Sequence, residues 1–298
     1  MCGLLLVNKP SGITSFGAVS RLKKLTGEKR IGHTGTLDPM ASGVLPVLIG
    51  RATKLCDYLI CADKSYTATV KLGVSTDTLD ITGNIFESKT VTVTNEEIDR
   101  VLSRFSGETE QVPPMFSAIK KDGVRLYKLA RGGKNVELPP RKITVFSIER
   151  LSGIDKSSEF KISCTVSKGT YIRALCRDIG AALGVPATLS ALCRTKTAGF
   201  CIDECVSLDD LNEENVKDYI LPADKAVTNM REVKVTRPQA VRFSNGGELD
   251  FERLPRIGFS PDETVKVYFE DEFLGLAAAD TDAGRLIFKC LINDVKGE

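Results

Sequence analysis

The apolar positions of this chain fall into short runs whose period changes often. Leu4 to Val7 reads as a strand, and NKPSGITS after it as a turn. Thr14 or Ser15 can cap a helix to about Leu25, with Gly27 ending it in the left-handed region. Val44 to Ile49 is apolar throughout and predicts a buried strand. Ala52 to Ile60 is helical in pattern, whereas Tyr66 to Leu72 alternates Tyr, Ala, Val and Leu against Thr, Thr and Lys and predicts a strand. Thr94-Asn-Glu-Glu97 is a capping box that opens a helix to about Phe105. KKDGV, 120 to 124, is a hairpin turn, followed by a short helix over 124–130 that Gly132-Gly133 closes. Lys142 to Leu151 and Glu159 to Ser167 are strands, and a helix follows Gly169 to about Leu183. ATLSALCRTKTAGF, 187 to 200, reads as the end of a helical region. The acidic stretch 203–218 and Leu221-Pro222 predict a lead-out from the main domain. From Val233, short strands with Gly and Pro turns predict a small all-β C-terminal domain. Strands and helices mix without a regular βαβ repeat, so the fold class is α+β, not a doubly wound sheet.

With 298 residues the chain can bury a sizeable core in one large or two smaller domains. The longest apolar runs are far too short to cross a bilayer. MCGLLLVNKPSG has no basic region before its apolar run, so it does not read as a signal peptide, and a cytoplasmic location is expected. The nine cysteines form no CxxC pair and His33 is the single histidine, so no metal site is read and most cysteines are expected as small apolar fillers.

Charge changes the picture more, because a net +2 hides an uneven distribution. Residues 1–60 carry eight Lys/Arg against three acids, and residues 117–142 eight against two. Residues 250–298 reverse this, with eleven acids against six bases. Two basic stretches in a nearly neutral protein suggest a face for a polyanion.

The most unusual stretch is GHTGTLDPMASGVLPVLIG, 32 to 50. Pro39 disfavours helix at Asp38, and Gly32, Gly35 and Gly43 allow tight backbone, so a carboxylate is presented from an extended loop beside a buried strand. Ordinary turn chemistry accounts for the same residues. KSYTATVKLGVSTDTLDITG places Tyr66 at the start of a strand, and its Asp77 and Asp80 read as turn or solvent residues more readily than as a metal pair. In SKGTYIRALCRDIG, Tyr171 and Arg173 lie near a helix start, where the helix dipole disfavours an arginine that lacks a carboxylate partner. Leu192 reads most simply as core.

Together, NKPSGITS, GHTGTLDPMASGVLPVLIGRATK, KSYTATVKLGVSTDTLDITG, GTYIRALCRDIG and ALCRTKTAGF, in this order, resemble the bacterial tRNA pseudouridine synthase B (TruB) family. The resemblance is strong over residues 3–200 and weak beyond. It implies a mixed, largely antiparallel catalytic domain over 1–225, with an RNA-binding insertion at about 104–142. Residues 233–298 would be a PUA-like RNA-binding domain, although the acidic tail argues against a strong phosphate-binding role; local bases such as Arg237 and Arg242 would then serve.

The implied reaction converts one uridine of the tRNA T loop, position 55, to pseudouridine. The C1′–N1 bond breaks, uracil turns, and C5 joins C1′, without any cofactor. The base must first be flipped out of its stack. By resemblance, Asp38 is the nucleophile, at C1′ or at uracil C6, and Arg173 pairs with and orients it. Tyr66 stacks on the uracil and helps to move the C5 proton. Leu192 packs the opposite wall, His33 contacts the loop RNA or fills the gap left by the flipped base, and Lys9 supports the active-site strand. Tyr171, Lys120, Lys121 and Arg125 complete the expected substrate-binding set. The implied partner is the tRNA T stem-loop, bound by a monomer that needs no protein partner and no membrane. A guide-RNA-dependent relative and a non-catalytic tRNA-binding or folding module are the alternatives. A glycosidase fits less well, because only one candidate carboxylate stands where two are usually needed.

Overall fold

A computed structural model describes residues 1–296 except 61, 118, 122, 127, 128, 130, 131, 133–135, 256 and 257. The first strands are β1 (Gly3–Lys9), β2 (Ile31–His33), β3 (Ser42–Ile49) and β4 (Lys64–Leu72), followed by a small hairpin of β5 (Val74–Thr76) and β6 (Ile85–Ser88). Next come β7 (Gly107–Gln111), the short pair β8 (Lys120–Lys121) and β9 (Val124–Arg125), β10 (Arg141–Arg150) and β11 (Glu159–Val166). The strands β12 (Ala187–Thr197), β13 (Phe200–Cys201) and β14 (Val206–Ser207) end this part. The main sheet runs β14-β1-β3-β12-β4-β11-β10-β7, with β2 on β3 and β13 on β12. Its pairs are antiparallel except β1 with β14 and β12 with β3, as the largely antiparallel expectation requires.

Helix α1 (Ser15–Thr26) begins where the Thr14 hydroxyl accepts the Gly17 N–H at 2.9 Å, and it ends at Gly27 with φ 66°. The predicted 52–60 helix is a 3-10 turn over Gly50–Leu55 continued by α2 (Cys56–Ile60). Helix α3 (Asn95–Leu102) opens on the predicted capping box: Thr94 N donates to Glu97 Oε2 at 2.8 Å and Glu97 N to Thr94 Oγ1 at 3.3 Å. Helix α4 (Ile172–Ala182) lies on the sheet with Ile172, Leu175, Cys176 and Ile179 buried in the main core. The helix expected over 124–130 does not begin at Val124, which in β9 pairs with Lys121 of β8; Leu126 and Leu129 are helical, and residues 127, 128 and 130 lie outside the described residues.

Two expectations need correction. Residues 187–197 are the central strand β12, not the end of a helix. Register shifts at Ser190 and Thr195 each insert an extra residue against β4. Such bulges break strict alternation, so Leu189 and Leu192 are buried three apart, a spacing that imitates a helix face. The stretch 203–222 is not a detached lead-out. Val206–Ser207 extends the sheet beside β1, Leu208, Leu211 and Val216 enter the main core, and Leu4 and Leu221 exchange backbone hydrogen bonds of 2.9 and 2.7 Å.

The C-terminal part forms its own five-stranded sheet, β15 (Glu232–Lys234), β17 (Thr264–Phe269), β18 (Glu272–Asp280), β19 (Arg285–Leu291) and β16 (Leu249–Asp250), in that spatial order. One helix, α5 (Arg237–Ser244), accompanies the predicted strands. The two parts share an apolar cluster in which Leu4, Leu6, Leu48 and Leu59 meet Tyr268, Phe273 and Leu276. At its edge Arg51 Nη1 donates to Asp294 at 2.7 Å. No helix among the described residues is long and apolar enough to cross a membrane.

Candidate active site

Asp38 stands on the loop between β2 and β3, which the segment before α1 holds by backbone. Gly12 N donates to Pro39 O at 2.8 Å, and Ser11 Oγ to Met40 O at 2.7 Å. The buried Ser15 hydroxyl accepts from Leu37 N at 2.8 Å and donates to Leu37 O at 3.1 Å. Every neighbour of Asp38 is therefore tied down, while its own side chain stays one-third exposed.

Arg173, in the first turn of α4, meets it. Nε donates to Asp38 Oδ2 at 2.9 Å and Nη2 to Oδ1 at 3.2 Å, a two-point grip that fixes the carboxylate plane. The remaining donors reach Thr78 O and Phe116 O, each at 2.8 Å. The guanidinium is almost completely buried, so these four acceptors are what makes its burial tolerable. The carboxylate that the helix dipole called for is thus Asp38 itself.

Sheet register assembles the rest. Lys9 on β1 is opposite Gly43 on β3, Gly43 is opposite Arg194 on β12, and Arg194 is opposite Tyr66 on β4. Lys9, Arg194 and Tyr66 are all buried on this one rung. A Cβ at Gly43 would lie 2.2 Å from the Arg194 carbonyl oxygen, so only glycine lets the two strands approach this closely. Lys9 Nζ donates to Pro10 O and Ile13 O, both at 2.8 Å, and thereby holds the turn that leads into α1. Its burial, and then the charge of Arg194, lower its pKa to about 8, against a smaller opposing pull from Asp38. Burial raises the Tyr66 phenol, and Arg194 offsets part of that rise.

Leu192, two residues before Arg194, is in the main core with Tyr66 and opposite Ala68. His33 ends β2, half-buried, and its Nδ1 has no hydrogen-bond partner among the described residues. Burial, then the Arg194 charge, push its imidazole below the usual range, which favours the neutral form. Tyr171 directly precedes α4, its backbone clasped by the Gln111 side chain at 2.9 and 3.2 Å. Lys120, Lys121 and Arg125 lie on the β8–β9 pair, reached through the segment whose Phe116 carbonyl touches Arg173.

Two further residues, Asp80 and Arg194, are buried at the site. Asp77 does serve the turn, bonding Asn84 N at 2.9 Å, but Asp80 is no solvent residue. It is buried, with Oδ2 3.8 Å from Arg173 Nε, while its Oδ1 accepts from Thr78 Oγ1 and from Thr82 N and Oγ1. The missed signal was Thr on either side of the aspartate in T-L-D-I-T, whose hydroxyls can satisfy a buried carboxylate. Arg194 is the second, fully buried where a helix-end reading would leave it in solvent.

Residues 23–172 match the model of the TruB family pseudouridylate synthase N-terminal domain. The chain belongs to that family. Residues 173–228 match the tRNA pseudouridylate synthase B C-terminal domain. A tRNA pseudouridine synthase B of Clostridium tetani is 43% identical over 293 residues, covering 98% of this chain and 100% of the relative. Its counterpart from Bacillus pumilus is 42% identical over 83% of each chain. Among solved structures, a chain of an H/ACA RNP bound to a substrate RNA containing 2′-deoxyuridine superposes with a TM-score of 0.73 at 26% identity, covering 98% of this chain and 85% of that one. A chain of a Cbf5-Nop10-Gar1 complex gives 0.71 at 27% identity, covering 99% and 84%.

Proposed function

We propose that the protein is a stand-alone tRNA pseudouridine synthase that isomerises the uridine at position 55 of the T loop. The observation that carries the reading is the carboxylate of Asp38, gripped at two points by a buried arginine yet one-third exposed, together with the buried Tyr66 phenol on β4. A flipped nucleotide would enter beside it. Asp38 is the nucleophile, Arg173 its orienting partner, and Tyr66 the group that meets the uracil ring. Leu192 forms an apolar wall, Lys9 the floor beneath the Asp38 loop, and His33 and Tyr171 the rim toward RNA. Lys120, Lys121 and Arg125 supply phosphate contacts. No cofactor is needed, because the isomerisation neither gains nor loses electrons or groups.

Residues 1–225 are the catalytic domain and 233–298 a PUA-like RNA-binding module. The enzyme acts as a cytoplasmic monomer. The solved relatives named with H/ACA RNP and with Nop10 raise a second reading, in which a guide RNA and partner proteins are required. The 42–43% identity to proteins named tRNA pseudouridine synthase B supports the stand-alone one. Incubating the purified chain alone with an unmodified T stem-loop RNA, then mapping pseudouridine, separates them. Product at the predicted uridine supports the proposal, and product only after adding guide RNA overturns it.

A further inference from the structure

Arg194 makes contacts that a merely space-filling arginine would not. It is fully buried on the central strand, and no described carboxylate pairs with it. Nε donates to Val44 O at 2.8 Å and Nη2 to Gly35 O at 3.0 Å. Those carbonyls stand on the two stems of the loop that carries Asp38, so one guanidinium closes the loop from both sides. Gly35 has φ 82°, and a Cβ there would come to 3.4 Å from Nη1, so the stem rests against the guanidinium. Nη1 itself is buried with no hydrogen-bond partner among the described residues. A buried donor left unpaired is costly, as is a buried cation with no counter-anion. The residue opposite is Tyr66.

Resting on the isomerase reading above, we propose that Arg194 is a positioning residue that locks the Asp38 loop and holds the Tyr66 oxygen as the acceptor of the uracil C5 proton. The anion that satisfies Nη1 is the phenolate, formed only during turnover. Tyr66 releases its proton to water, and the phenolate takes the proton from C5 once the C5–C1′ bond has formed. A proton from water reaches N1 of the turned ring, so one proton is lost at carbon, one gained at nitrogen, and the phenol is restored. The groups facing Tyr66 are Arg194 from β12, Cys164 from β11 and Asp38 from its loop, and Arg194 is the cation among them. Those facing Arg194 include Tyr66 and Cys205, with Lys9 and His33 also within reach of its charge.

The test follows tritium release from a T-arm RNA labelled at uridine C5, under single-turnover conditions across a pH series. Wild-type release establishes the isomerase reading separately; its absence would sink that reading and this one with it. Tyr66→Phe should slow release by about a hundredfold, the lower range for a lost general base. Arg194→Met should move the ascending limb of the profile to higher pH, and Arg194→Lys, which keeps the cation but loses the fork, should slow release with the limb near its original place. Lowered rate with an unmoved limb in Arg194→Met would overturn the proposal. Should Arg194→Met not fold, Arg194→Lys in the Tyr66→Phe background decides: a smaller loss than in wild type supports coupling through Tyr66, and an equal loss refutes it. Ultraviolet titration of phenolate in the RNA-free proteins gives a readout independent of turnover, and an Arg194→Met curve identical to wild type in a protein with normal melting would also count against the contact.

Discussion

The two sheets of this protein treat charge in opposite ways. The main sheet and its covering loops bury Lys9, Asp80, Arg173 and Arg194 around one loop, and Lys9 and Arg194 have no paired carboxylate among the described residues. In the C-terminal sheet, Lys266 is the buried charge among the described residues, and it meets Glu232 at 2.9 Å. Other cations there are matched at the surface: Arg231 with Glu263, Arg285 with Glu248, Lys234 with Asp271. Burying an ion costs several kcal/mol unless its partners repay it. The first region carries that cost where a reaction needs oriented charge, and the second region neutralises its own. The gathering of buried charge around one loop therefore separates chemistry from scaffold better than a count of charges does.

The harshest way to break the contrast is Asp38→Asn. An amide is nearly isosteric and can still accept from Arg173, but it is not a nucleophile. Pseudouridine formation should be abolished while RNA binding stays within roughly tenfold, about 1.4 kcal/mol. Turnover in a deamidation-free preparation would refute the role assigned to Asp38.

Arg173→Lys comes next. The guanidinium serves Asp38 at two points and the carbonyls of Thr78 and Phe116 as well, from a planar fork. An ammonium has three donors around one atom and cannot span that set. The catalytic rate should fall by about a hundredfold, and an unsatisfied carbonyl should cost about 1–3 kcal/mol of stability. Single-turnover kinetics and denaturant melts measure the two effects, and an unchanged rate would remove Arg173 as the partner of Asp38.

What could be read in advance followed from local chemistry. The Thr14 cap, the Thr94–Glu97 box and the alternation of β4 are short-range signals and hold in the structure. The long motifs located Asp38 and Arg173, and the dipole argument required a carboxylate near Arg173. What stayed hidden depended on distant pairing. The bulges of β12 are defined only against β4, and without them Leu189 and Leu192 imitate a helix. The Lys9–Gly43–Arg194–Tyr66 rung joins four strands, and no window of sequence contains it.

Salt dependence sharpens the comparison with a smaller effect. The basic surplus of residues 117–142 has few acids nearby in sequence, whereas the C-terminal cations named above are already engaged. Neutralising Lys120, Lys121, Arg125 and Lys128 (the last outside the described residues) should raise the Kd for tRNA and flatten its salt slope, by up to about 0.7–0.9 per lost phosphate contact. Deleting residues 233–298 is a poor control, because it would strip Leu4, Leu6 and Leu48 of their apolar partners. Replacing Lys234, Arg237, Arg253 and Lys289 by glutamine leaves that cluster intact and should alter the slope less. Binding isotherms across a salt series decide, and a larger change from the C-terminal set would reverse the assignment.

The smallest expected effect tests whether the two-cation rung is real in the resting protein. Lys9 has a pKa near 10.5 in the unfolded chain and about 8 in the fold, through burial first and Arg194 second. Between those values the unfolded state binds a proton that the folded state does not, so this group makes stability rise with pH across that window. A neutral amine still has two hydrogens for the carbonyls of Pro10 and Ile13, so the turn survives the change. Cys164, pushed up to about 12, works in the opposite direction above its ordinary value but is shared by both proteins and cancels in their difference. Lys9→Met should therefore show a shallower alkaline gain in melting temperature than wild type, measured on proteins matched for buffer and salt. Asp38→Asn should steepen the same trend, because it removes the carboxylate that favours the charged amine. Parallel curves for wild type and Lys9→Met would mean that Lys9 keeps its proton in the fold, and that Arg194 does not press on it across the rung.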